Sequence, residues 1–250
     1  MCRHLVYVGA PITLEKLILK PKHSLLQQAF APRYQTHGAI NADGFGVGWY
    51  DRDMRAEPAR YRTTRPIWTD LSFASFAGLV SSNAVLASVR SASPGMPIED
   101  TSTPPFTEGP WLFSHNGFVP GFRSGVGRTL RRKVSDARAN AMTSATDSEL
   151  LFALVLDRLD RGASPADALA SVIALVEDLT TARLNFLLTD GERIFATAVR
   201  NSLFVLDDRQ LTESVIIASE PYDGNAAWEV VKDGSIVEFG DDDKLEVRPL

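Results

Sequence analysis

At 250 residues, with 44% hydrophobic and 23% charged side chains, the chain has the composition of a globular protein with a sizeable core. The net charge is −5, and the one basic run (Arg128, Arg131, Arg132, Lys133, Arg138) has no interleaved aromatic residues, which argues against a nucleic-acid partner. A single cysteine excludes an intramolecular disulfide framework and a multi-cysteine metal site. The first apolar run, residues 5–10 before Pro11, is too short for a signal core or a membrane span, so no membrane is expected and the cytoplasm is the default location.

Residues 3–8 alternate in the β manner and predict a first strand that starts almost at the terminus. Residues 14–19 and 25–30 predict short helices separated by Pro21. The glycine-punctuated NADGFGVGWY, residues 41–50, reads as a turn feeding a strand, with residues 59–63 as its hairpin partner. Residues 71–79 read as helix and residues 84–90 and 111–115 as strands, the latter two separated by a proline-rich loop over 93–110. Residues 121–144 are polar and low in large apolar side chains, and a flexible loop is expected there. A helix opens near Asp147, with Thr146 or Asp147 as N-cap and Leu150, Leu151, Leu154, Val155 and Leu159 on its apolar face. Ser164-Pro165 starts a second helix to about residue 179. Strand-like runs follow at 184–188, 194–199, 203–206 and 215–219, with short ones near Trp228, Ile236 and Leu245. Strands, two adjacent helices and more strands predict an α+β fold in one domain spanning residues 2–250.

The one cysteine is Cys2, directly after the initiator Met1. Removal of Met1 would leave a thiol and a free α-amine on one residue, a nucleophile with a built-in base. Their ordinary pKa values, about 8.5 and about 7.7–8.0, let the amine take the thiol proton near neutrality. A small buried residue at a strand start would look the same. Arg90, ending an apolar strand, is either a surface residue or a fork for a carboxylate. Asn116-Gly117 suits both an oxyanion hole and a tight hairpin turn. The four glycines between His37 and Trp49 fit a strand closely approached by a facing sheet. Asp147 alone is no more than a helix-start residue. His4, His23, His37 and His115 show no metal-ligand spacing, so no metal or other cofactor is expected.

Together these elements are more specific than any of them singly. Cys2, the HGAINADGFGVGW segment, Arg90, Asn116-Gly117 and Asp147 stand in the order seen in class II glutamine amidotransferases, and the chain resembles that family. The resemblance implies a four-layer αββα sandwich of the N-terminal-nucleophile hydrolase type. It further implies that Cys2 is the nucleophile and that Asn116 and the Gly117 N–H hold the oxyanion. Arg90, helped by backbone around Ser91 and Ser93, would bind a substrate α-carboxylate, and Asp147 the α-ammonium. The expected partner is therefore a small γ-glutamyl amide. Within the family, the strings MCRHLVYVGAP and APRYQTHGAINADGFGVGWY resemble members that cleave glutamate from a sulfur-bearing histidine betaine conjugate. Small residues after Arg90, where many glutaminases carry Trp and Thr, suit a leaving group longer than ammonia. With no length for a second catalytic domain, the alternative expectation is a glutaminase subunit feeding ammonia to a separate synthase. Self-association is left open.

Overall fold

The computed structural model describes residues 2–250; Met1, whose removal the sequence predicts, lies outside the described residues. In chain order the first half carries β1 (Arg3–Thr13), α1 (Leu25–Phe30), β2 (Phe45–Trp49), β3 (Ala59–Thr63), α2 (Leu71–Phe76), β4 (Ser81–Val89), β5 (Phe106–Glu108) and β6 (Trp111–Phe118). Then come α3 (Gly127–Arg131), α4 (Asp136–Ala141), α5 (Asp147–Asp160), α6 (Pro165–Glu177), β7 (Arg183–Thr189), β8 (Ile194–Ala198) and β9 (Phe204–Asp207). The chain ends with α7 (Arg209–Thr212), β10 (Val215–Ala218), β11 (Glu229–Val230), β12 (Ser235–Phe239) and β13 (Leu245–Pro249).

These strands form two antiparallel sheets, one ordered β11-β9-β10-β1-β4-β2-β3 and the other β13-β12-β8-β7-β6-β5. Alternation along each strand sorts the side chains into three apolar layers. Val6, Ala84, Leu86, Leu112, Leu187 and Ile217 meet between the sheets. Leu5, Tyr7, Val85 and Ala87, on the opposite face of their sheet, pack with Leu25 of α1 and Phe73 of α2. Phe113, Phe186 and Leu188 pack outward against the α5–α6 pair through Leu151, Leu154, Leu169 and Val172. The result is a four-layer αββα sandwich, as the family resemblance implies. At the sheet–sheet interface, a Cβ on Gly48 would come within 2.6 Å of the Leu112 side chain of the facing sheet, so the glycine lets that side chain approach the backbone.

Two local expectations are corrected, and one of two open readings is excluded. Residues 121–144 are not a loop: they hold a helical turn at Phe122–Val126 followed by α3 and α4. Phe122, Leu130 and Val134 are buried against α5, and Val126 packs beside them. One apolar residue every four positions is a single column, too narrow to stand out as an amphipathic pattern. Ser135 caps α4, and Asp157 of α5 accepts its N–H at 2.7 Å and its hydroxyl at 2.6 Å. The proline-rich segment likewise contains β5, which pairs with β6. Asn116-Gly117 is not a turn: both lie within β6, opposite Asn185 and Leu184 of β7.

Candidate active site

Cys2 precedes β1 by one residue, and the strand register locates it. Arg3 pairs with Val89 and His4 with Ser88, so one further step sets Cys2 opposite Arg90. His4 and Val6 face the second sheet, where His4 Nδ1 lies 3.0 Å from Ser114 Oγ, and the two-residue period gives Cys2 the same face. Cys2 is half-buried, with Sγ 4.0 Å from the Ser91 carbonyl. Arg3 points to the opposite face and fastens the strand end. Its Nε donates to the Cys2 carbonyl at 2.8 Å, and its Nη1 to Glu220 Oε1 at 3.1 Å and Ser202 Oγ at 3.3 Å. Glu220 is fully buried and also accepts from His23 Nε2 at 2.7 Å and from the N–H groups of Arg33 and Tyr34 at 2.8 and 3.0 Å. Burial alone would raise the Glu220 pKa; the His23 and backbone donors, with Arg3, outweigh it and leave the carboxyl below its ordinary range.

Arg90 is buried and donates through Nη2 to the Pro97 carbonyl at 2.8 Å, while its buried Nη1 has no partner among the described residues. An unsatisfied guanidinium nitrogen inside a protein is costly and calls for an anionic partner. The loop after Arg90 is shaped by the NADG segment. Asp43 N–H donates to the Arg90 carbonyl at 2.9 Å, Asp43 Oδ2 accepts from Ala92 N–H at 2.8 Å, and Arg90 N–H donates to the Gly44 carbonyl at 2.8 Å. Gly44 has φ +118°, and a Cβ there would sit 2.5 Å from the Thr63 carbonyl, so only glycine fits.

On the second sheet, a Cβ on Gly117 would stand 1.9 Å from the Arg183 carbonyl, which explains the glycine. Asn116 is fully buried between the sheets: its Nδ2 lies 3.3 Å from Ser219 Oγ and its Oδ1 has no partner. The Ser219 hydroxyl already accepts from His4 N–H at 3.0 Å and has no acceptor among the described residues. Turning the amide over lets Ser219 donate to Oδ1 and frees Nδ2 as a donor, a better-satisfied network. Asn201 Nδ2 holds the Asn116 carbonyl at 2.9 Å. Thr146, not Asp147, caps α5, accepting from Glu149 N–H at 3.2 Å. Asp147 is thereby left to turn its buried carboxylate back toward β6, where Oδ2 is 3.4 Å from Val119 N–H. His115 bridges Ser148 Oγ and the Arg183 carbonyl at 3.0 Å each. Burial lowers its pKa, partly offset by Asp147.

Cys2, Arg90, Ser91, Ser93, Gly117 and Asp147 line one cleft. Asn116 is not among the residues lining it; its side chain lies beside Ser219 between the sheets. A larger concavity of about 530 Å³ lies beside Tyr50 and Arg52, but it holds none of these residues.

Residues 22–210 match the family described as Glutamine amidotransferases class-II. The chain belongs to that family. A Mycolicibacterium smegmatis protein named gamma-glutamyl-hercynylcysteine sulfoxide hydrolase is 41% identical over 242 residues, covering 96% of both chains. Among solved structures, a glutamine aminotransferase class-II domain protein from Silicibacter pomeroyi superposes with TM-score 0.70 at 25% identity, covering 99% of both chains. The glutamine phosphoribosylpyrophosphate amidotransferase of Bacillus subtilis shares the fold alone, with TM-score 0.66 at 14% identity over 99% of this chain and 49% of that one. In this class II glutamine amidotransferase, several residues at the site were not singled out by sequence. Arg3, Glu220, Ser219 and Asn201 come from distant segments, and no local spacing signals them. Asp43 had a signal, since an Asn-x-Asp-Gly turn offers a carboxylate to nearby backbone N–H groups.

Proposed function

We propose that this protein is an amidohydrolase that releases glutamate from γ-glutamyl-hercynylcysteine sulfoxide, with Cys2, freed by removal of Met1, as nucleophile. The observation that carries the reading is the shared cleft, which Cys2 lines together with a buried Arg90 that has an unpartnered nitrogen and a buried Asp147. A γ-glutamyl group carries an α-carboxylate and an α-ammonium, and Arg90 and Asp147 match those charges. The backbone at Ser91–Ser93, braced by Asp43, adds to the carboxylate cradle. The Cys2 amine takes the thiol proton, and Sγ attacks the γ-carbonyl. Asn116 Nδ2 and the Gly117 N–H receive the charge that develops on oxygen. Collapse breaks the C–N bond, the amine leaves with the transferred proton, and water hydrolyses the thioester to glutamate. The substrate assignment draws on the 41% identity to the named mycolicibacterial hydrolase.

Intact mass and turnover test this directly. Active protein is expected to lack Met1, to hydrolyse the sulfoxide conjugate faster than glutamine, and to lose turnover in Cys2→Ala with an unchanged circular dichroism spectrum. Substantial hydrolysis by folded Cys2→Ala would refute the mechanism. Faster turnover of glutamine would move the assignment to a glutaminase.

A further inference from the structure

The two sheets give the cleft two unlike sides. β1 lies over β6 and β7, and β4 lies over β6. Arg90 follows β4, on one side of β1, and Asp147 starts the helix that packs on the outer face of β6. The other neighbour of β1 is β10, and the other neighbour of β6 is β7. A group leaving from the γ-carbonyl away from Arg90 and Asp147 therefore departs over the ends of β10 and β7.

Two side chains stand there without a role in the steps above. Arg183 opens β7 opposite Phe118, one residue past Gly117. Its Nη2 is 3.1 Å from His37 Nε2, and it has no carboxylate partner among the described residues. Tyr34 is linked to the nucleophile by three hydrogen bonds: its N–H to Glu220, Arg3 to Glu220, and Arg3 to the Cys2 carbonyl. Its ring is 49% exposed and meets Phe204, at the start of β9, edge-on with centroids 4.9 Å apart. The Glu220 carboxylate beneath is fully buried and engaged, so it is not free to meet a ligand.

We propose that Arg183 and Tyr34 form the leaving-group subsite for a betaine, Arg183 taking its carboxylate and the Tyr34 ring its quaternary ammonium. This rests on the proposed substrate. A trimethylated amino acid carries both charges on one carbon, and it can neither donate hydrogen bonds from its nitrogen nor form an ordinary salt bridge. An aromatic face suits such a cation, and a guanidinium fork suits the adjoining carboxylate. His37, as hydrogen-bond acceptor for Arg183, holds the fork at the tip of the segment that Glu220 and Asp43 pin at its two ends.

The test compares kcat/KM for γ-glutamyl-hercynylcysteine sulfoxide and for glutamine in Met1-processed enzyme. Tyr34→Leu and Arg183→Gln are each expected to lower the conjugate-to-glutamine ratio by about five- to tenfold, mainly through KM for the conjugate. Tyr34→Phe, which keeps the ring, should hold the wild-type ratio. A ratio unchanged in Leu and Gln variants overturns the subsite, and so does an equal loss on both substrates, which marks a structural role. Wild-type enzyme that prefers glutamine overturns the proposed function itself, and the subsite with it.

Discussion

Glu220 is the buried charge on which the nucleophile's strand end depends most directly, and Glu220→Gln should show it. Each carboxylate oxygen accepts two hydrogen bonds: Oε1 from Arg3 and Tyr34 N–H, Oε2 from His23 and Arg33 N–H. Glutamine keeps one acceptor oxygen and turns the other position into a donor facing donors. Whichever way the amide settles, the Arg3 guanidinium, with Nη2 already unpartnered, loses its anionic partner and keeps only neutral acceptors such as the Cys2 carbonyl and Ser202 Oγ. Removing one partner of a buried pair costs about 3–5 kcal/mol. Against a total stability of about 5–15 kcal/mol, that is a large fraction. Urea unfolding should show a lower midpoint at unchanged m-value. The double variant Arg3→Met/Glu220→Leu should recover part of the loss, because it leaves no lone charge. A loss in Glu220→Gln of less than about 1 kcal/mol, the scale of an exposed pair, would refute the reasoning.

Three further outcomes follow from the site. Arg90→Lys should raise KM about tenfold or more despite keeping the charge, since a point ammonium cannot reproduce a planar two-bond grip; kinetics indistinguishable from wild type would remove Arg90 from substrate binding. Asn116→Ala should lower kcat by about 10²–10³-fold, the scale of one oxyanion donor, and a change confined to stability would assign the side chain to sheet packing alone. Stability should also fall as pH drops from about 6.5 toward 5. His4 lies well below its ordinary pKa, chiefly through burial and then through the charges of Arg3 and His115, and burial lowers His115 too. With the folded values below the unfolded ones, the unfolded chain binds the protons first, at about 1.4 kcal/mol per pH unit for each group. Urea midpoints that do not move between pH 7.5 and pH 5.5 would contradict this.

What the sequence made legible was whatever one segment encodes by itself. Alternating residues gave β1, an apolar run gave β4, the capping signature gave α5, and Pro165 gave the start of α6. Cys2, Arg90, Gly117 and Asp147 carried motif signals, and the fold brings all four to one cleft. Illegible was whatever depends on partners far along the chain. Glu220 lies in the polar stretch after β10 and reads as a surface carboxylate, yet the fold buries it against Arg3 across 217 positions. The stretch holding α3 and α4 failed for a different reason: its packing uses one apolar column, and its capping uses an aspartate from the next long helix. The Asn-Gly pair was ambiguous because a hairpin turn and an oxyanion hole draw on the same two residues, and only the pairing of β6 with the distant β7 excludes the turn.

The antiparallel register also explains why the chemistry sits at this end of the sandwich. With Arg3 opposite Val89 and a period of two, residues 2, 4 and 6, at and just before the start of β1, face the second sheet, and so do Ser88 and Arg90 on the β4 side. A nucleophile at residue 2 and a carboxylate-binding fork at residue 90 therefore arrive on one face without any loop having to aim them. Moving β1 by one residue would turn Cys2 outward and put Arg3 between the sheets. The Arg3–Glu220 pair resists that slip, because it satisfies a guanidinium only in the observed register and would bury it against the Val6–Leu86 layer in the other. The ion pair beneath the nucleophile thus fixes which face the thiol presents, and Glu220→Gln should loosen the register as well as the fold.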